Sequence, residues 1–167
     1  MLLWVATNHM FKIKLIAVGS IKDTYLSLGI EEYKKRLLPL VELSIHDIPE
    51  TPIKTDREED ITKALHADGL KIKNLIPNNA YIVLLDIQGQ KLSSEVMAKK
   101  IETLQLKTSQ LVMVIGGSHG IDQSIRNIAN EKWSFSDLTF PHQLFRLMLL
   151  EQIYRSMTIL KGHPYHK

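Results

Sequence analysis

The chain of 167 residues contains no cysteine. Disulfide bonds, thiolate zinc sites and cysteine nucleophiles are therefore excluded, and a reducing compartment is compatible with the sequence. The seven histidines show no HExxH or similar metal-ligand spacing, so we expect no metal ion. No segment approaches the ~18 consecutive apolar residues that a membrane-spanning helix needs.

Several motifs of familiar enzyme classes are also missing. Neither GxGxxG nor GxxxxGKS/T occurs, so a dinucleotide fingerprint and a P-loop are not supported. A GxSxG elbow is absent, and no convincing set of nucleophile, base and acid replaces it, which disfavours an α/β hydrolase. The formal net charge is only +3, with a pI near 9.0, which allows a nucleic-acid partner without requiring one.

The N-terminal residues are apolar but short. Residues 1–6 (MLLWVA) have no basic region before them, which disfavours a cleaved signal peptide. Met10 directly precedes the first predicted strand. We therefore expect residues 1–9 to be an N-terminal extension and residues 10–167 to form a single domain.

Apolar strands alternate with amphipathic helices along the rest of the chain. We expect Asp23 and Asp56 to cap the first two helices, Ser93 to open the third, and residues 88–90 (QGQ) to form a turn. This order predicts an α/β domain with a mostly parallel sheet and helices on both faces. The predicted strands are 11–19, 41–48, 81–87, 111–115 and 133–135, and the predicted helices are 24–36, 57–75, 93–106, 121–131 and 142–160.

Two loops follow predicted strands at the edge of the sheet where α/β proteins bind ligands, namely 86–89 (DIQG) and 116–120 (GGSHG). Glycine lets the backbone approach a ligand closely, although ordinary tight turns would have the same composition. Asp86 is either a base or ribose partner, or a turn carboxylate. His119 is either catalytic or an exposed loop residue.

Polar residues with possible chemistry follow at the last helix. His142 and Arg146 are four residues apart, an anion-friendly arrangement near a helix start that could equally be a surface pair. Glu151 and Arg155 have the spacing of an ion pair. Beyond the helix, residues 163–167 (HPYHK) offer stacking, hydrogen bonding and charge for an RNA contact, unless they form a disordered terminus.

At these residues the chain resembles the RlmH (YbeA-type) family of SPOUT methyltransferases. The resemblance runs from about Met10 to Lys167, and residues 1–9 precede the usual family start. The matching blocks are KIKLIAVG, EEYKKRL, LLDIQGQKLSSE, VIGGSHG, WSFSDLTFPHQLFR, LLEQIYR and HPYHK.

The resemblance implies a fold and a reaction. The fold is an α/β knot in which the C-terminal segment threads through a loop to form a trefoil. The reaction is transfer of a methyl group from S-adenosyl-L-methionine to N3 of a pseudouridine in 23S ribosomal RNA, in the cytoplasm, by a homodimer with each cofactor pocket next to the dimer interface. Because the net charge is small for an RNA enzyme, we expect an assembled ribosome to be a better substrate than naked RNA.

The resemblance also implies site residues. The expected acceptor-side residues are His142, Arg146, Arg155, Tyr165 and His166, where His142 could accept the N3 proton or an arginine could stabilise the developing charge. A non-catalytic nucleotide-binding or ribosome-associated module on the same scaffold is the alternative function. The expected cofactor-binding residues are Leu85, Gly116, Phe135, Ser136, Asp137, Leu138, Thr139 and Phe140.

Overall fold

The computed structural model describes residues 10–167, so the expected extension at residues 1–9 lies outside the described residues. The strands are β1 (Lys12–Val18), β2 (Glu42–Ile48), β3 (Tyr81–Lys91), β4 (Gln110–Ile115) and β5 (Glu131–Ser134). The helices are α1 (Thr24–Leu37), α2 (Glu58–Leu75), α3 (Ser94–Lys107), α4 (Gln123–Ile128) and α5 (His142–Leu160).

The five strands form one parallel sheet in the order β2-β1-β4-β3-β5, as the alternation of strands and helices predicts. β4 is the central strand, and β1 lies between β2 and β4, pairing with β2 at Lys12↔Glu42 and with β4 at Lys12↔Gln110. The strand order is consistent with the trefoil knot that the resemblance implies.

Both faces of the sheet are buried, which explains why its strands read as continuous apolar runs. Ile13 and Leu15 of β1 contribute to a cluster with residues of α1, α3 and α5. Ile16 and Val18 contribute to a second cluster, with Ile72 of α2 and residues of α4. The prediction of helices on both faces is confirmed.

The predicted turn at residues 88–90 is wrong, because β3 continues through it. The strand is irregular between Leu85 and Gln90, and then pairs again with β5 at Gln90↔Trp133. A Cβ atom on Gly89 would lie 2.6 Å from the carbonyl carbon of Lys132. Glycine at this position therefore lets the two backbones approach closely enough for β3 to extend along β5.

The predicted helix caps have mixed outcomes. Ser93 caps α3, since its hydroxyl accepts a hydrogen bond from the Val96 amide at 3.2 Å. Asp23 precedes α1 as expected, but its side chain makes no capping bond. Asp56 is wrong as a cap, because Arg57 precedes α2 and an acidic first turn at Glu58–Asp60 complements the helix dipole instead.

Candidate functional site

A cavity of about 310 Å³ opens at the carboxyl end of β4 and beside residues 85–87 of β3, next to the segment that joins β5 to α5. It is lined by residues from both segments that the sequence singled out, 86–89 and 116–120. Its walls are mainly apolar, with a few polar groups among them, as in many small-molecule sites. The lining residues are Leu85, Asp86, Ile87, Ile115, Gly116, Gly117, Ser118, Gly120, Ile121, Arg126, Trp133, Ser134, Phe135, Ser136, Leu138, Thr139, Phe140, His142 and Phe145.

The cavity gathers all of the expected cofactor residues except Asp137. The Asp137 carboxylate forms an ion pair with Lys91, and both side chains are largely exposed. Asp137 is adjacent to lining residues in sequence, but its side chain is directed at β3 instead. The structure therefore brings together Leu85, Gly116 and most of the 135–140 segment, which come from three separate parts of the chain.

The glycine loop after β4 is closed on itself. The Gly117 amide donates to the Gly120 carbonyl at 3.0 Å, and the Gly120 amide donates back to Gly117 at 3.1 Å. Gly120 has a φ of 97°, in the left-handed region that favours glycine. A Cβ on Gly116 would lie 2.6 Å from the Gly120 oxygen. Side chains are thus excluded where the backbone borders the cavity.

An ion pair forms the charged part of the lining. Arg126 of α4 donates to one carboxylate oxygen of Asp86, and the other accepts the Gln88 amide at 3.0 Å. Asp86 is thus a carboxylate within β3 that is paired with Arg126 and also bonds the strand's own backbone two residues on. Sequence reasoning missed Arg126, because α4 contributes no motif and its contact with Asp86 spans 40 residues.

The fully buried Trp133 forms one wall of the cavity and is fixed by Glu131. The indole N–H donates to Glu131 Oε2 at 2.7 Å, and Lys100 donates to the same oxygen at 2.7 Å. Tyr81 donates to Oε1 at 2.8 Å. Burial acts to raise the pKa of Glu131, but the three donors together lower it. Burial and the Glu131 contact raise the pKa of Tyr81 to about 12.

Three phenylalanine rings also line the cavity and pack against one another. The rings of Phe135 and Phe145 are 5.0 Å apart, and those of Phe140 and Phe145 are 6.3 Å apart. The intervening turn is held by the Ser136 hydroxyl, which accepts from the Leu138 amide at 3.0 Å. Flat apolar ligand groups would fit between such rings and the glycine loop.

His142 and Arg146 begin α5 but face different surroundings. His142 lines the cavity, whereas Arg146 is buried, at 2% exposure. The Arg146 guanidinium donates to Asp47 Oδ1 at 2.7 Å and to the carbonyls of Val18 and Gly19 at 3.0 and 2.8 Å. Burial lowers the pKa of Arg146, and Asp47 partly offsets this. The two residues are therefore not a surface pair, and the structure does not bring Arg146 to the cavity.

The remaining acceptor-side residues form a cluster around Glu151. Its Oε1 accepts from Arg155 Nε at 3.0 Å, from Arg155 Nη2 at 2.5 Å and from the Tyr165 hydroxyl at 3.1 Å. Burial, with hydrogen bonds to Tyr33 and Glu151, raises the pKa of Tyr165. Spacing alone predicted the Glu151–Arg155 ion pair, whereas Tyr165 was expected at the site only through the family resemblance, because it lies in a tail without periodicity.

His166 completes this cluster. Arg155 Nη1 lies 3.2 Å from its Nδ1, and Glu95 Oε1 lies 2.8 Å from its Nε2. Because a guanidinium only donates and a carboxylate accepts, this arrangement fits a ring with its proton on Nε2. Hydrogen bonds from the Glu95 backbone, Ser93 and His166 lower the pKa of Glu95 to about 2. The tail is thus folded against α5 and α3, contrary to the disordered alternative.

A second cavity, of about 560 Å³, lies next to the Glu151 cluster. It shares Phe135 with the first cavity, and Tyr33 and Glu151 lie on its wall. The expected acceptor residues are therefore divided within one chain: His142 lies on the first cavity, whereas Arg155, Tyr165 and His166 lie beside the second. Its other lining residues are Leu92, Ser93, Ser94, Met97, Leu144, Leu147, Met148 and Gln152.

Between residues 10 and 167, no helix combines the length and apolar character that crossing a membrane requires. In the same range, no group of three or more His, Asp or Glu side chains is placed to hold a metal ion.

Comparison with known proteins gives close relatives of nearly the same length. A family model described as "Predicted SPOUT methyltransferase" matches residues 11–166. The ribosomal RNA large subunit methyltransferase H of Halothermothrix orenii is 39% identical over 158 residues, covering 93% of this chain and 99% of that protein. The protein of the same name from Alkaliphilus oremlandii is 43% identical over 159 residues, with the same coverage.

Solved structures share the fold at low sequence identity. A probable methylase family protein from Haemophilus influenzae has a TM-score of 0.53 at 10% identity, covering 93% of this chain and 70% of that one. A tRNA methyltransferase from Aquifex aeolicus has a TM-score of 0.53 at 14% identity, covering 93% of this chain and 75% of that one. At these identities the likeness concerns the fold alone.

Proposed function

The chain belongs to the SPOUT methyltransferase family, and on that premise we propose that it methylates N3 of a pseudouridine in 23S ribosomal RNA with S-adenosyl-L-methionine. The observation that carries the proposal is the cavity at the carboxyl end of β4, which gathers Leu85 of β3, Gly116 and most of the 135–140 segment. Relatives of matching length named as ribosomal RNA methyltransferases support the substrate class. They also disfavour a non-catalytic binding module.

The cavity residues fit the proposed methyl donor. Leu85, Phe135 and Phe140 can enclose the two faces of an adenine ring, and the backbone of the glycine loop can contact its edge. A side chain at Gly116 would collide with the Gly120 carbonyl, so glycine is needed there for the loop to keep its shape at the cavity. When bound, S-adenosylmethionine supplies an electrophilic methyl carbon on a cationic sulfonium. The chain's own contribution is then alignment and electrostatics.

His142 is the proposed proton acceptor on the acceptor side. The imide N3–H of pseudouridine is a weak acid, so the nitrogen must lose its proton as it attacks the methyl carbon. His142 borders the proposed donor cavity, where its imidazole can take up that proton. Arg155 would stabilise the developing negative charge. Arg146 is assigned a positioning role, because its donors are bonded to Asp47 and two carbonyls.

A homodimer would unite the divided acceptor residues. Within one chain, His142 lines the first cavity, whereas the cluster of Arg155, Tyr165 and His166 lies beside the second, bonded to Glu151 on its wall. Half-buried apolar residues of α5 line the second cavity, and a second copy could cover them. We propose that the tail of one protomer completes the donor cavity of its partner, so that each site draws on both chains.

The test is methyl transfer to ribosomes. Radiolabelled S-adenosylmethionine is supplied with assembled ribosomes from a cytoplasmic extract of a strain lacking this gene, and in parallel with protein-free ribosomal RNA. We expect label in the large-subunit RNA of whole ribosomes and little in naked RNA, because a net charge of +3 gives few phosphate contacts. Absence of label from both, with donor binding intact, would contradict the proposed reaction.

A further inference from the structure

Glu50, in the loop after β2, is bonded to the glycine loop that follows β4. Its Oε1 accepts from the Ser118 amide at 2.8 Å and from the Ser118 hydroxyl at 2.5 Å. The hydroxyl oxygen lies 2.9 Å from His119 Nδ1. Since the single hydroxyl hydrogen is donated to Glu50, the oxygen accepts from an Nδ1–H of His119. One carboxylate thus fixes both the backbone and the side chain of Ser118.

The contact between the two loops is close. A Cβ atom on Gly117 would lie 2.6 Å from Glu50 Oε1 and 2.9 Å from a methyl carbon of Val18. Glycine at this position is therefore needed for the loop to reach the carboxylate. Substitution of Glu50 removes the acceptor while leaving that glycine in place, so the two contributions can be separated by mutation.

Residues of α2 hold the backbone on both sides of Glu50. On its C-terminal side, the Thr51 amide and hydroxyl donate to the buried Asp68 at 3.1 and 2.5 Å. On its N-terminal side, Lys71 donates to the Pro49 carbonyl at 3.0 Å. Both neighbours of Glu50 are therefore fastened to one helix, and the carboxylate is presented to the glycine loop from a fixed backbone.

We propose that Glu50 is a positioning residue for the methyl donor, acting through Ser118. Ser118 lines the donor cavity, whereas Glu50 does not. The Ser118 amide and hydroxyl are already bonded to Glu50, so they hold the loop rather than contact the ligand. A loop ordered before binding loses less conformational entropy when the ligand binds. The proposal rests on the assignment of this cavity to S-adenosylmethionine.

Donor binding to the purified full chain tests the proposal. Isothermal titration calorimetry with S-adenosylmethionine and S-adenosylhomocysteine would compare the wild type with Glu50→Ala, Ser118→Ala and the double variant. We expect Glu50→Ala to weaken binding about three- to tenfold, the size of one or two partly exposed charged hydrogen bonds. The double variant should bind about as weakly as Glu50→Ala alone, because both changes remove the same contact.

Enzyme kinetics and two further variants separate positioning from general damage. In Glu50→Ala, the KM for the donor should rise by the same factor as the dissociation constant, about three- to tenfold. Its kcat, its KM for ribosomes and its melting temperature should stay near the wild-type values. Glu50→Gln should retain most of the affinity, because its amide oxygen accepts the same N–H and O–H bonds. Glu59→Ala removes an exposed carboxylate from the first turn of α2 and should bind as the wild type does.

Three outcomes would overturn the proposal. Wild-type affinity in Glu50→Ala would show that the loop needs no such anchor. Independent, additive losses in the double variant would show that Glu50 does not act through Ser118. Failure of the wild type itself to bind either ligand would overturn the assignment of the cavity to S-adenosylmethionine, and the positioning role of Glu50 with it. This outcome concerns the wild type, whereas the first two concern only the variants, so the two kinds of failure can be told apart.

Discussion

Arg146 Nη1 lies 2.7 Å from Asp47 Oδ1, although the two residues are 99 positions apart in the chain. The other terminal nitrogen bonds the carbonyls of Val18 and Gly19, where β1 ends. The start of α5, which carries His142 and Phe145 to the proposed donor cavity, is thereby tied to the carboxyl ends of β1 and β2. The buried Arg146 guanidinium therefore links the ends of two strands to the start of α5, although Arg146 itself does not line the cavity.

Arg146→Ala should destabilise the protein. The substitution leaves two carbonyls and Asp47 without their donor and opens a space beside β1, so we expect the free energy of unfolding to fall by about 2–3 kcal/mol. Urea denaturation followed by circular dichroism measures the change. Arg57→Ala, at an exposed position before α2, is the matched control. A loss below about 1 kcal/mol would contradict this role.

His142→Ala should lower turnover while leaving donor affinity nearly unchanged. Loss of a general base typically costs about 10²- to 10⁴-fold in rate. Single-turnover methylation of ribosomes, with calorimetry for the donor, separates the two effects. His66→Ala, a largely exposed histidine on α2, serves as the control. Full-rate methylation by His142→Ala would exclude it from the mechanism.

Two inactive variants should complement each other if the site is shared. His142→Ala and His166→Ala damage different parts of the proposed composite site, so a heterodimer retains one intact site. Random exchange of protomers should therefore restore about a quarter of wild-type activity, since half of the dimers are mixed and each has one competent site. The variants are mixed after denaturation and refolding, and ribosome methylation is measured. Activity no higher than that of either variant alone would place the whole site within one chain.

Acid should weaken the contribution of Glu131 to stability. Burial opposes ionisation of Glu131, but hydrogen bonds from Lys100, Trp133 and Tyr81 lower its pKa in the folded state. A lowered folded-state pKa means that the carboxylate stabilises the protein above its unfolded-state pKa, and that this contribution is lost as the pH falls through the folded-state pKa.

Glu131→Gln should therefore be less stable than the wild type near neutral pH, and the difference should shrink as the solution is acidified from about pH 7 to about pH 3. Urea midpoints across that range, followed by circular dichroism, provide the measurement. Glu102→Gln, on the exposed side of α3, should show no such convergence. If the difference in stability between Glu131→Gln and the wild type did not change with pH, the Glu131 charge would contribute nothing to stability.

Much of the fold could be predicted from periodicity, because the interior strands β1, β3 and β4 each contain a long, buried apolar run. The limits of α5 at His142 and Leu160 matched the prediction, since a long apolar helix with proline before it has clear ends. The extension of β3 past Ile87 was missed. It depends on the close approach of Lys132 to Gly89, and contacts between distant segments leave no local pattern.

The site was predictable where motifs marked it and not elsewhere. Gly116 and Phe135 lie in segments whose composition is distinctive, and both line the cavity. Arg126 and Glu50 were not anticipated, because their roles come from pairing with Asp86 and Ser118 across 40 and 68 residues. For Arg146, helical spacing placed it beside His142, whereas burial directed its side chain to the end of β1.

The position of α5 in the chain order has a consequence for biosynthesis. Leu149, Leu150, Ile153 and Met157 of α5 complete the apolar cluster on one face of the sheet, yet they are translated after all five strands. A nascent chain with a finished sheet would therefore still expose part of that face until α5 emerges. Such exposure favours aggregation or chaperone binding during synthesis. Cotranslational folding of this chain is expected to remain incomplete until the helix that carries His142 has left the ribosome.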